Sequence, residues 1–209
     1  MTHAPQSAID LKSAGTFLRQ WARNPAKVAS VTPSGRQLTR LMVAQLPPGC
    51  TRVVEIGAGT GVFTRALLER GIAPANLLVV EINAVLAELL RRRFPEVTVA
   101  CADACRLDAL ARDHGLLDAG PLDAVVSGLG MLSMNSALRC RIMHAAFAAL
   151  GPGGRFVQFT YGPASPVRRS ERAAFGLDVR RAGFAVLNLP PATVYVYERR
   201  VPRKSLTAR

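Results

Sequence analysis

Three glycines at alternate positions, Gly57, Gly59 and Gly61, follow directly on Arg52-Val53-Val54-Glu55-Ile56, and twenty residues beyond Gly61 the acid Glu81 ends the run Leu77-Leu78-Val79-Val80. Near-continuous apolar runs of this length are the pattern of parallel strands buried on both faces. Glycines after such a strand let backbone approach a ligand closely, and an acid at the tip of the next strand can hold ribose hydroxyls. The spacing therefore predicts a pocket for a nucleoside-containing cofactor. It is not the dinucleotide fingerprint G-x-G-x-x-G, because the turn reads Gly57-x-Gly59-x-Gly61 with Glu55 two residues before the first glycine.

The block Val53 to Gly61, continued by Val62-Phe63-Thr64-Arg65-Ala66-Leu67-Leu68, resembles the S-adenosylmethionine (SAM) site of class I methyltransferases. The resemblance implies SAM as cofactor and S-adenosylhomocysteine as its product. It places Glu55, Gly57, Ala58, Gly59, Thr60 and Gly61 beside the methionine half, gives the ribose to Glu81, and puts Ile82 next to it in the pocket. Asp103, after Val97-Thr98-Val99-Ala100, resembles the acid that receives the adenine amino group, and Ala104 would line the ring. Ser127 falls where such enzymes place their acceptor-binding motif, at the edge of the cofactor site.

These residues need a scaffold that brings strand ends together. Strands are expected near 51–56, 76–81, 97–100, 123–127 and 155–160, with helices near 62–70, 83–94 and 136–150 and a looser helix or loop around 104–117. Leu177 to Leu189 and Thr193 to Arg199 read as two extended segments joined at Pro190-Pro191, a terminal antiparallel hairpin. Alternating strands and helices indicate an α/β fold with a parallel sheet. Five parallel strands followed by a hairpin match the Rossmann-like, seven-stranded class I methyltransferase sheet. The domain is expected over 36–200, preceded at 1–35 by an amphipathic helix and linker and followed at 201–209 by a basic tail.

Charge is a second signal. The 209 residues carry 27 Lys and Arg against 14 Asp and Glu, a net charge of +13, which implies an anionic partner, nucleic acid or membrane surface. Lys12, Arg19, Arg23, Lys27, Arg36 and Arg40 stand against Asp10 alone in the first fifty residues. Within them Ala14, Phe17, Leu18 and Trp21 recur at helical spacing, with Lys12, Arg19, Arg23 and Lys27 opposite. Such a helix can lie in a bilayer interface, with Phe17, Leu18 and Trp21 inserted and Arg19, Arg23 and Lys27 drawn to anionic headgroups. The same pattern fits a helix that caps the sheet with Trp21 in the core. Cys50, Cys101, Cys105 and Cys140 make no C-x-x-C pair, no signal peptide stands at the N-terminus, and no run of about twenty apolar residues occurs. The expectation is a reduced, cytoplasmic protein, peripheral on the cytoplasmic face of the inner membrane, without a metal site or an obligate protein partner.

A narrower likeness runs from about residue 15 to 200. Phe17-Leu18-x-x-Trp21-x-x-Asn24-Pro25, Val31-Thr32-Pro33-Ser34-Gly35-Arg36, Asp123-Ala124-Val125-Val126-Ser127-Gly128-Leu129, Gln158-Phe159-Thr160-Tyr161-Gly162-Pro163 and Asn188-x-Pro190-Pro191-Ala192 together resemble the bacterial phospholipid N-methyltransferases. That family methylates phosphatidylethanolamine stepwise to phosphatidylcholine. The chain departs from it at Gly130, where the family usually has proline, which bears on acceptor choice and on how many methyl groups are added. Tyr161 and Ser127 are the candidates at the reacting amine. The Tyr161 ring can attract a cationic amine, and Arg168 and Arg169 can receive the lipid phosphate as guanidinium forks. Packing and solvation are the alternatives for Tyr161 and for the two arginines. Two other acceptors compete, an ornithine-containing or other aminolipid, and ribosomal RNA adenine. The adenine enzymes resemble one another in an Asn-x-Pro-aromatic motif at the fourth strand, where this chain has Ser127-Gly128-Leu129-Gly130, so nucleic acid is not the expected partner.

Overall fold

The computed structural model describes residues 33–186 and 190–200. The expected N-terminal helix, with Phe17, Leu18, Arg19, Trp21, Arg23 and Lys27, lies outside the described residues, as do Asn188 and the basic tail. Elements follow in the order α1 (Pro33–Val43), β1 (Val53–Ile56), α2 (Val62–Glu69), β2 (Leu77–Glu81), α3 (Ala84–Arg93), β3 (Thr98–Cys101), α4 (Leu107–Asp113), β4 (Leu122–Ser127), α5 (Ser136–Ala149), β5 (Leu150–Thr160), α6 (Arg169–Ala174), β6 (Leu177–Ala185) and β7 (Ala192–Arg199). Short 3-10 turns precede β2, α4 and α5.

All seven strands form one sheet in the order β3-β2-β1-β4-β5-β7-β6, with β1 to β5 parallel and β7 antiparallel to both β5 and β6. Every residue of β1 and β2 is buried, as strands covered on both faces must be. On one face Val53, Val79, Val126, Val157 and Val194 pack with Leu38 and Met42 of α1, Phe63 and Leu67 of α2, and Leu90 of α3. On the other, Val54, Ile56, Val80, Val125, Phe156 and Tyr197 pack with Leu107 of α4 and with Ile142, Met143 and Phe147 of α5. The edge strand β6 carries exposed Arg180 and Arg181, charges that discourage pairing with another sheet. Strand order reverses between β1 and β4, and open α/β sheets bind ligands at the carboxyl ends beside such a switch point.

The β5 boundary differs from the sequence expectation. β5 begins at Leu150 rather than near 155, because Leu150 pairs with Leu122 before an irregularity resets the register at Ala124 and Arg155. The intervening Gly151-Pro152-Gly153-Gly154, which reads as a turn in sequence, forms the irregularity between these two paired positions, with Gly153 at φ 73°. The segment near 104–117 resolves into a 3-10 turn and the helix α4. No helix among the described residues is long and apolar enough to cross a membrane.

Candidate functional site

The glycine turn is fixed from both sides. Gly57 donates its N–H to Val80 O of β2 at 2.8 Å, and Ile56 O of β1 accepts from Gly128 N–H, just past β4, at 2.9 Å. Gly57, Gly59 and Gly61 have φ values of 67°, 58° and 82°, a region that L side chains rarely adopt. The turn therefore carries no side chain at these three positions and leads straight into the N-terminus of α2, where unpaired N–H groups accumulate. Arg93 at the end of α3 steadies the turn further by donating to Thr60 O at 2.7 Å.

Glu81 joins the turn to the tip of β2. Its Oε2 accepts from Gly59 N–H and its Oε1 from Asn83 N–H, each at 2.9 Å. A carboxylate has about four acceptor sites, so one lone pair on each oxygen remains for ribose hydroxyls. Ile82, beside it, is 70% exposed and offers apolar surface at the same rim. Across β3, Asp103 takes Cys105 N–H on Oδ1 at 2.8 Å, which holds its carboxyl below the ordinary range, and Ala104 is buried behind it. A side-chain-free turn, an acid with spare acceptors, an exposed aliphatic and a second acid one strand further suit the methionine, ribose and adenine parts of SAM in that order.

Glu55 plays a different part from its neighbours. It is fully buried, and Thr64 in the first turn of α2 donates its hydroxyl to Oε2 at 2.6 Å while Oε1 has no partner. Burial pushes the carboxyl up to about 8 against the hydrogen bonds from Thr64. A sealed acid of this kind braces the junction of β1 and α2. The sequence marks Thr64 only as a hydroxyl nine residues after an acid, at the third position of the following helix.

The two candidates at the acceptor lie on opposite faces of the sheet. Ser127 pairs in register with Ile56 and Gln158, is fully buried, and accepts from Leu129 N–H at 3.4 Å. Tyr161, one residue past β5, is half-buried and packs edge-on against Phe159 at 5.4 Å, which itself meets Phe63 of α2 at 5.9 Å. Tyr161 thus lies on the α2 face of the sheet, just past the carboxyl end of β5. Arg168 and Arg169 are exposed at the N-terminus of α6, where Glu171 accepts the Arg168 N–H at 2.8 Å. Asp123, part of the fourth-strand block, sits at the opposite end of the sheet, where its Oδ2 accepts from Thr51 and Arg52 N–H at 2.9 Å and locks the start of β1. Among the described residues no group of His, Cys, Asp and Glu could hold a metal ion, and the four cysteines are free.

The model of the methyltransferase domain family matches residues 53–154, from β1 into β5. The chain is 33% identical over 183 residues to the ornithine lipid N-methyltransferase of Singulisphaera acidiphila, a match covering 86% of this chain and 92% of that protein. Among solved structures it is similar to the glycopeptide N-methyltransferase MtfA complexed with SAM, with a TM-score of 0.63, 15% identity, and 79% of this chain and 94% of that one covered. It is also similar to a TehB-like SAM-dependent methyltransferase from Corynebacterium glutamicum, with a TM-score of 0.57, 17% identity, and 91% and 100% covered. At these identities the structural likeness speaks for the fold, while the relative at one-third identity over most of both chains speaks for descent. The chain belongs to the class I SAM-dependent methyltransferases.

Proposed function

We propose that this enzyme is an aminolipid N-methyltransferase, transferring methyl groups from SAM to the amine of an ornithine-containing lipid at a membrane surface. The observation that carries the reading is the 33% identity to an ornithine lipid N-methyltransferase over 86% of the chain, an extent well beyond the 53–154 match. Phosphatidylethanolamine is the second acceptor, favoured by the motif likeness at Phe17 to Trp21 and at Gln158 to Tyr161.

SAM supplies an electrophilic methyl on a sulfonium, so the step forms an N–C bond as a C–S bond breaks; after the first and second transfers the methylated nitrogen sheds a proton, and after a third it stays a quaternary ammonium. The protein must align the amine lone pair with that methyl and exclude competing water. The glycine turn and Glu81 set the position on the donor side. Tyr161 presents a ring at the open rim, where an alkylamine can lie against its face. Glu55 and Ser127 have no exposed surface, so water at the rim is the proton acceptor rather than either side chain. Arg168 and Arg169 suit the lipid's own anion, a carboxylate in ornithine lipid or a phosphate in phosphatidylethanolamine. On this reading the N-terminal helix holds the enzyme on the anionic cytoplasmic leaflet, and polar replacements of Phe17, Leu18 and Trp21 weaken liposome binding while SAM affinity is kept. Unchanged liposome affinity would remove the helix from that role.

The deciding experiment incubates the enzyme with methyl-labelled SAM and liposomes containing either ornithine lipid or phosphatidylethanolamine, followed by lipid separation. Label in mono-, di- and trimethylated ornithine lipid is expected. Label in phosphatidylethanolamine alone selects the second acceptor, and label only in added ribosomal RNA overturns the aminolipid reading.

A further inference from the structure

The large apolar side chains that this fold leaves exposed gather at one end of it. Among the described residues there are seven, and six of them, Val62, Ile82, Val85, Leu132, Phe184 and Val186, stand at the carboxyl rim of the parallel strands. The seventh, Leu89, lies one turn beyond Val85 on α3. Topology puts them there. Val62 opens α2 directly after the glycine turn, Ile82 and Val85 follow β2, and Leu132 follows β4 and lies beside Gly162, just past β5. Phe184 and Val186 flank Ala185 at the end of β6, which pairs with Ala192 of β7, next to the Thr193 partner of Thr160. From β2 to β6 is five steps across the sheet, about 24 Å at the usual strand spacing. Single exposed apolar residues are ordinary, but their concentration at one end marks an interaction surface.

Charge separates the two ends as well. At the rim Arg36, Arg168 and Arg169 are exposed, and Arg93 reaches the glycine turn through Thr60 O. The acids near them are occupied: Glu81 and Glu171 are each 6% exposed and hydrogen-bonded, Glu88 pairs with Arg91 and Arg92, and Asp103 accepts from Cys105 N–H. Exposed Glu69, Glu96 and Asp118 lie at the other end, where α2 finishes and β3 and β4 begin. The chain before α1 also joins the fold at the rim. Gln45 is bonded to Arg155 and Arg180, whereas Leu41 lies by Gly183, nearer the carboxyl end of β6, so α1 approaches the rim as it is followed back to Pro33.

We propose that this rim is the face that docks on an anionic bilayer, with Val85, Leu132, Phe184 and Val186 entering the interface and Arg36, Arg168 and Arg169 at the headgroups. This docking rests on the aminolipid reading and gives the lipid its route: the cofactor site opens onto the leaflet, so the headgroup amine meets the methyl while the acyl chains stay in the bilayer. Charge selects the occupant. A second copy would bring the same arginines to the contact, and the stretch before α1 carries Lys12, Arg19, Arg23 and Lys27 against Asp10 alone. Either would set like charges together. Anionic lipid complements the rim, and the apolar, basic sequence that joins α1 at this end can meet the same leaflet.

The test uses the full-length enzyme and vesicles of phosphatidylglycerol and phosphatidylcholine, which carry no acceptor amine. Val85→Glu combined with Val186→Glu puts an acid at each side of the rim; Val85 is 78% exposed and Val186 62%, so neither change disturbs packing. The vesicle dissociation constant of this double variant is expected to rise at least about tenfold, with SAM affinity and Tm held. Ala75→Glu combined with Ala119→Glu, at exposed positions of the opposite end, makes the same change in net charge and should shift that constant less than about twofold. An unchanged constant in the rim variant, an equal loss in both variants, or no vesicle binding by the wild type overturns the docking. Hydrogen exchange of the wild type decides it without any variant. Vesicles should slow exchange at residues 82–86 and 184–186 and leave 69–76 as they were, and no slowing at the rim overturns the docking. Rim amides that are slow before vesicles are added and fast in the rim variant would give this face to the chain's own N-terminal segment, or to a second copy where the slowing grows with protein concentration; either overturns it. Turnover of detergent-dispersed ornithine lipid needs no bilayer and reports the aminolipid reading separately.

Discussion

Gly59 donates its backbone N–H to Glu81 Oε2 at 2.9 Å, so the acid at the tip of β2 shapes the glycine turn. With Asn83 N–H on Oε1, the carboxylate ties the glycine turn to the loop that follows β2. Glu81→Ala strands both donors, at a cost of about 1–3 kcal/mol for each one left unpaired. The expected result is a SAM dissociation constant raised at least about tenfold together with a Tm lowered by several degrees. Titration calorimetry and thermal melting check the two effects, and an unaltered dissociation constant would take Glu81 out of the cofactor site.

The buried acid Glu55 makes stability depend on pH in a definite window. Its folded-state pKa of about 8 lies above the ordinary value of 4.5, so the folded protein binds the proton more tightly than the unfolded chain does. The corresponding stability is fully present below about pH 4.5 and is lost as pH rises toward 8, at about 1.4 kcal/mol per pH unit. Glu55→Gln keeps the shape without the titration and should flatten the stability profile across that window. Denaturant melts at pH 5, 6, 7 and 8 would show it; parallel slopes for variant and wild type would mean that the acid is already ionised and partnered.

At the other end of the pH scale, Glu171 of α6 works with the opposite sign. Burial alone would raise its pKa, but hydrogen bonds from Arg139, Ser136 and the Arg168 N–H bring it down to about 2. Its contribution is present above about 4.5 and lost as pH falls toward 2, so it adds acid sensitivity where Glu55 adds none. Glu171→Gln leaves Arg139, only 4% exposed, charged and unmatched. Breaking a buried pair in this way costs about 3–5 kcal/mol, and the midpoint of urea unfolding at pH 7 is the measurement.

Legibility in the sequence followed how local the determinant was. The strand–turn–helix at Val53 to Leu68 and the acid at Glu81 were readable because hydrophobic runs and glycine spacing act within a few residues of one another. β5 starts earlier than its local sequence suggests, because Gly151 to Gly154 has the chemistry of a turn and only the pairing of Leu150 with Leu122 extends the strand back across that irregularity. Asp123 and Ser127 belong to one sequence block, yet the first locks the amino end of β1 and the second reaches the carboxyl rim, a separation that alternation along a strand does not reveal. The partners Thr64 to Glu55, Arg93 to Thr60 and Thr160 to Thr193 depend on register and packing between elements, so no single stretch of the chain announces them.

Gly128 has the least room of the residues at the β4 tip. A Cβ built there would lie 2.4 Å from Gly57 O, and that atom is backbone, which cannot swing aside as a side chain would. At Gly57 the corresponding Cβ meets Leu129 Cδ2 at 2.5 Å, the far end of a flexible side chain, although its φ of 67° adds strain of about 1 kcal/mol. The two glycines therefore fail differently. Gly128→Ala must push the glycine turn away from β4 and should abolish measurable SAM binding while the two cores on either side of the sheet keep the chain folded. Gly57→Ala should weaken SAM binding more mildly as Leu129 gives way. Titration with SAM alongside far-ultraviolet circular dichroism separates loss of the site from loss of fold; a Gly128→Ala protein that binds SAM as tightly as the wild type would show that the β4 tip and the glycine turn are not in rigid contact.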